Sequence, residues 1–152
     1  MLTETTPSAT KIFHVGSIAL IDGEDANLWE QKFRELAEQG VITSLDPNIR
    51  ELLVKNKQQY LDRLDRMSKH ANILKLSDED LNYMCPEASL GDAFNEICNT
   101  TSAEIIVLTM GAKGARVKAG EISFQVSAAV CDPLVDTVGA GCLLYTSPSP
   151  RD

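Results

Sequence analysis

Six residues, Asp136-Thr137-Val138-Gly139-Ala140-Gly141, have the types and spacing for phosphate chemistry. Gly139, Ala140 and Gly141 carry almost no side chain, so their backbone amides can come close to a ligand. Amides in the first turn of a helix point the same way and, with the helix dipole, form an anion site. The run predicts a phosphate-cradling loop that opens a helix. Cys142 follows it directly.

Two further runs hold polar groups at comparable turns. Thr109-Met110-Gly111-Ala112-Lys113-Gly114 places a hydroxyl, two glycines and a cation after an apolar stretch, a composition shared by ordinary turns and nucleotide loops. Ser77-Asp78-Glu79-Asp80 is a serine N-cap with three carboxylates in the first turn, which complements the helix dipole without any ligand. The same carboxylates suit hydrated Mg²⁺, and the two readings are compatible. His14 lies in an apolar run and reads as a satisfied interior histidine rather than a catalytic one. Asp46 and Asn48 flank Pro47 as in an Asx-turn, and Arg50 either meets a phosphate or is solvated.

Strands and helices must alternate to position these runs. Lys11 to Gly16 reads as a buried strand, followed by Ala26, Trp29, Phe33, Leu36 and Ala37 at helical spacing and Gly40 as the left-handed stop. Val41 to Asp46 is the next strand, ended by Pro47, and Tyr60, Leu61, Leu64 and Met67 mark the second helix. Ile73 to Leu76 is a third strand, after which Ser77 caps a short helix and Leu90 to Asn99 forms another. Glu104 to Thr109 is the fourth strand, and Ala115 to Lys118 with Glu121 to Val126 form a hairpin around Ala119-Gly120. Such alternation predicts right-handed crossovers and a doubly wound α/β fold, a mainly parallel sheet with helices on both faces. Ligands of such sheets sit beyond the carboxyl ends of the strands, where the polar runs fall.

These motifs together resemble the ribokinase-like (PfkB) carbohydrate kinases. Asp136 to Gly141 is similar to that family's DTxGAG signature, Thr109 to Gly114 to its TxGxxG nucleotide loop, and Ser77 to Asp80 to its NxxE motif, with Ser77 for asparagine and Asp80 for glutamate. Phe13-His14-Val15-Gly16-Ser17, Asp46-Pro47-Asn48-Ile49-Arg50 and Lys75-Leu76-Ser77 resemble the fructokinase branch. The resemblance covers most of Lys11 to Gly141 and corresponds to the C-terminal half of such a kinase, an incomplete ribokinase-like fold. It implies transfer of the γ-phosphoryl group of ATP, with Mg²⁺, to a hydroxyl of a small sugar. The Gly139, Ala140 and Gly141 amides then stabilise charge on the transferring group. Thr109, Gly111, Lys113, Gly114 and Ser77 hold the nucleotide, and Asp80 helps to organise Mg²⁺. A K⁺ ion would lie beside Asp136 and Val138, and the full-length form is a candidate homodimer.

The family's signature continues into an aspartate that acts as base, where this chain has Cys142. General-base help contributes about 10² to 10⁴-fold, and a thiol with a pKa of about 8.5 is a poor substitute. Cys142 to Asp152 resembles in-frame translation of a sequencing adapter, and Pro148 and Pro150 would break the helix that a phosphate loop should open. The expected organisation is a disordered 1–10, a partial kinase domain over 11–141 and a non-native tail over 142–152. The chain as written is expected to be inactive. The alternative is a non-catalytic nucleotide-binding protein of the same fold, which a native Cys142 would favour.

Composition narrows the partners. A net charge of -8 with scattered acidic residues disfavours nucleic acid and anionic membranes. Cys85, Cys98, Cys131 and Cys142 show neither metal-site nor disulfide spacing, and Cys98 reads as a small core residue. With no apolar run of membrane-span length and no signal-like start, the sequence fits a cytoplasmic protein.

Overall fold

A computed structural model of the chain describes residues 9–130. Six strands form one mixed sheet in sequential order: β1 (Ile12–Gly16), β2 (Ile42–Asp46), β3 (Ile73–Ser77), β4 (Ile105–Thr109), β5 (Ala115–Ala119) and β6 (Ile122–Val126). The first four are parallel, and β5 and β6 add an antiparallel hairpin. The connections are α1 (Gly23–Glu38), α2 (Lys57–Ser68), α3 (Asp78–Met84) and α4 (Leu90–Thr100). Among the described residues no helix is long and apolar enough to cross a membrane.

Short-range chemistry sets the helix ends. Asn56 and Ser89 cap α2 and α4 by accepting the amides of Gln59 and Asp92. Gly40 takes φ +80° just beyond α1, the conformation a left-handed stop requires.

Strand parity decides what is buried. Val15, Leu45, Leu74, Leu76, Ile106 and Leu108 share one face and join Phe33, Tyr60, Leu64, Met67 and Phe94 of the helices in a single core. Each buried large side chain contributes about 1.5–3 kcal/mol. The Arg116 guanidinium of β5 lies over the Phe94 ring at 4.8 Å, so α4 covers this face as far as the hairpin. The opposite face carries Ile12, Ile42, Ile105, Ile122, Phe124 and Val126, all exposed. In a sequentially ordered parallel sheet, crossovers of one hand deliver every helix to one side. The described residues therefore supply one of the two helical layers that the doubly wound fold has.

That one-sidedness corrects two readings. Among the described residues β1 is an edge strand, not a buried one, with Ile12 60% exposed. His14 lies on the face opposite the helices, exposed rather than interior, with its Nδ1 3.0 Å from Ser44 Oγ.

Candidate functional site

The carboxyl ends of β1 to β4 bring four polar runs to one sheet edge. At β1, a Cβ on Gly16 would lie 1.9 Å from the Asp46 carbonyl oxygen, so only glycine lets this strand end meet the β2 loop. Ser17 then turns at φ +57° and donates its amide to the Pro47 carbonyl at 3.0 Å. Asn48, at φ +40°, turns the β2 loop in the left-handed region that asparagine tolerates better than most residues. The first two runs are thus one interlocked edge.

Asp80 ties the third run to the second. Its Oδ2 accepts the Ser77 amide at 2.8 Å, while Ser77 Oγ accepts the Asp80 amide at 3.0 Å, a reciprocal capping box. Its Oδ1 accepts the Ile49 amide of the β2 loop at 2.8 Å. The side chain is buried, and two backbone donors keep it satisfied there. The capping reading of the sequence holds and extends, because this cap also clamps a neighbouring loop.

Below the edge, Lys75 Nζ lies 3.1 Å from Asp46 Oδ2, with both side chains under 10% exposed. One-residue alternation puts Lys75 on the face opposite the helices, beside Val107 and away from Leu74 and Leu76, where it and Asp46 are nonetheless buried. Asp46 and Lys75 also act on His14. Removal from water lowers its pKa below 6.5, Asp46 opposes that, and Lys75 reinforces it. The Tyr60 hydroxyl of α2 is buried with no hydrogen-bond partner among the described residues, and burial first and the Asp80 carboxylate second push its pKa up.

The fourth run is an ordered turn. Thr109 pairs with Ser77 across β3 and β4, and its hydroxyl donates to the Leu76 carbonyl at 3.3 Å. The Met110 amide donates to the Gly114 carbonyl at 2.8 Å and the Gly114 amide to that of Gly111 at 3.0 Å. Gly111 and Gly114 have φ of +54° and +87°, and a Cβ on Gly114 would lie 1.9 Å from the Val126 carbonyl oxygen. Glycine is required there to seat the turn against the hairpin. Lys113 is exposed beside it, without an ion-pair partner among the described residues.

Ser77, Asp80, Thr109, Gly111, Lys113 and Gly114 therefore lie on adjoining strand ends. Asp136, Val138, Gly139, Ala140 and Gly141 lie outside the described residues. Among the described residues no three or more His, Cys, Asp or Glu side chains gather as a metal site, and Asp80 spends one acceptor on each of two backbone amides. Its geometry suits tying the β2 and β3 loops together rather than forming a dedicated metal cage. The Asp46–Lys75 pair and the link from Asp80 to Ile49 were not foreseen. A lysine at the polar register of an apolar strand was the signal for the first, and nothing local signals the second.

The chain has relatives among known proteins. A model of the pfkB family carbohydrate kinases matches residues 3–141. A fructokinase of Rhizobium leguminosarum bv. trifolii is 35% identical over 128 residues, which cover 84% of this chain and 38% of that protein. A putative fructokinase-8 of Arabidopsis thaliana is 29% identical, over 86% of this chain and 62% of its own. A fructokinase from Vibrio cholerae O395, solved with fructose, ADP and calcium ion, superposes with a TM-score of 0.80 at 30% identity, over 91% of this chain and 45% of that one. Aminoimidazole riboside kinase from Salmonella enterica, complexed with aminoimidazole riboside and an ATP analog, gives a TM-score of 0.80 at 25% identity, over 90% and 45%. The chain thus spans 38% to 62% of the length of these relatives.

Proposed function

The chain belongs to the pfkB family of carbohydrate kinases, and on that premise we propose that it is the nucleotide-side portion of a cytoplasmic, fructokinase-like enzyme that phosphorylates a sugar hydroxyl from ATP. The observation that carries this reading is the meeting of the Thr109–Gly114 turn with the Ser77–Asp80 cap across one β3–β4 step. Relatives with the same fold were solved with ADP or an ATP analog, and with fructose or a riboside.

In this proposal the Thr109 hydroxyl and the backbone at Gly111 and Gly114 receive the nucleotide, with Lys113 and Ser77 beside its phosphates. The glycines fit that task because the turn is fixed by its own hydrogen bonds before any ligand arrives, which lowers the ordering cost of binding. Asp80 holds the Ser77 and Ile49 amides in place, so the β2 and β3 loops face the phosphates as one unit. When bound, Mg²⁺ would neutralise phosphate charge. Asp136, Val138, Gly139, Ala140 and Gly141 keep their proposed roles in cation binding and in stabilising the transferring group. The acceptor sugar and any homodimer belong to the full-length enzyme.

Cys142 carries the second reading, a nucleotide-binding chain without phosphotransfer. Amide hydrogen exchange with and without Mg·ADP tests what both share, and protection should appear at Thr109 to Gly114. Unchanged exchange across that turn with ADP bound would overturn both. Fructose-dependent ADP release separates them. No turnover is expected from this chain, whereas a family-length chain with aspartate at the position of Cys142 should turn over.

A further inference from the structure

The neighbours of α2 leave a slot on the helix-covered side of the sheet, which Pro47 borders at the carboxyl end of β2. α2 and the α3–α4 segment are joined at both ends: Lys57 Nζ sits 4.3 Å from the centre of the Tyr83 ring, and the Thr101 hydroxyl donates to the Ser68 carbonyl at 2.7 Å. Between these ties lies a cavity of about 180 Å³. Leu45, Leu74 and Leu76 of the sheet line it, with Leu61 and Leu64 on one wall and Ile97 on the other. A leucine-lined hollow of about 150 Å³ is large enough to stay dry and take up a benzene-sized guest.

The mouth has a sign. Asp65 and Glu96 border the slot, but Asp65 is engaged by Lys69 Nζ at 2.7 Å. Ser68 and Thr100, the hydroxyls there, donate to carbonyls of their own helices. Glu96 is exposed and has no ion-pair partner among the described residues. Its charge reaches inward, because burial first and Glu96 second push the Cys85 thiol of the same lining upward.

We propose that the slot between α2 and α4 binds a small amine with an apolar body, of the arylalkylammonium class, its ring on the leucine floor and its cationic head at Glu96. The leucine floor offers the ring an apolar surface and the open mouth leaves the head solvated, so neither group is buried against its chemistry. Nothing in this reading depends on kinase activity.

Saturation-transfer NMR and calorimetric titration of the chain with benzylamine, toluene and benzoate provide the test. Benzylamine should bind most tightly, toluene more weakly and benzoate least. Glu96→Gln, at an exposed position, should weaken benzylamine about two- to fivefold and leave toluene unchanged. Leu61→Phe, which fills the slot, should abolish binding of both, with circular dichroism confirming the fold. If that variant does not fold, Glu96→Gln still decides. Failure of benzylamine to bind, equal binding of benzoate, or indifference to Glu96→Gln would each overturn the proposal.

Discussion

α2 has two flanks with opposite chemistry. Toward α1 it presents Arg63, buried at 2% exposure, whose guanidinium donates to the Leu20 and Ile21 carbonyls, to Asn27 Oδ1 and to Glu30 Oε2. Arg66 donates to the same Glu30 from the outside, at 2.6 and 3.1 Å. Toward α4 it presents Leu61 and Leu64 to a hollow, with ties at its two ends. The first flank also opens, into a depression of about 140 Å³ with Phe33 and Met67 in its lining, but Glu30, Arg34, Arg66, Lys69 and His70 give it a charged and polar rim. One helix is thus fixed by directional polar bonds on one side and left partly unfilled on the other.

The largest effect should come from breaking the polar flank. Arg63→Leu leaves two buried carbonyls without a donor and takes from Glu30 one of its two cations, a loss of about 3–5 kcal/mol for a broken buried pair. Urea unfolding should show the midpoint fall with little change in slope. A loss below about 1 kcal/mol would mean that packing, not hydrogen bonding, holds this seam.

The apolar flank should be far less sensitive. Thr101→Val removes the hydroxyl bond that closes the lower end of the slot, for about 1 kcal/mol. Amide exchange should speed up near the C-terminal end of α2 before it does in the sheet, since weakly tied elements open first. Uniform acceleration across the chain would show that the two flanks unfold as one.

Between the flanks, Tyr60 should respond with the opposite sign. A buried hydroxyl without a partner costs stability, so Tyr60→Phe should stabilise by about 1 kcal/mol and raise Tm by about 3 °C. Destabilisation would reveal a hydrogen bond made by that hydroxyl in solution.

The strands, the helices and the Ser77 cap were legible because each rests on local signals: alternation, helical spacing, a serine before carboxylates and a glycine after α1. The polar strand ends were legible too, since position at the carboxyl edge follows from the alternation itself. What could not be read depends on which chain segments become neighbours. Arg63 looks like a solvated helix residue until α1 places Asn27 and Glu30 against it. Lys75 and Asp46 are 29 positions apart and meet only through the β2–β3 register. His14 seemed interior because an apolar run does not disclose whether its strand lies at a sheet edge.

The smallest predicted effect is a pH dependence confined to the polar flank. Burial pushes the Glu30 carboxyl up, but hydrogen bonds and charge from Arg66, then Arg63, outweigh it and leave the pKa below the usual 4.5. A carboxyl with a depressed folded pKa contributes stability above its unfolded value and loses that contribution as pH falls through the folded one. Stability should therefore decline below about pH 4.5, and Glu30→Gln should flatten that decline while costing stability at neutral pH. Thr101→Val changes no titrating group and should keep the wild-type slope. If Glu30→Gln and wild type lose stability in parallel as the pH falls, the ion pairs on this flank are solvated and the contrast rests on Arg63 alone.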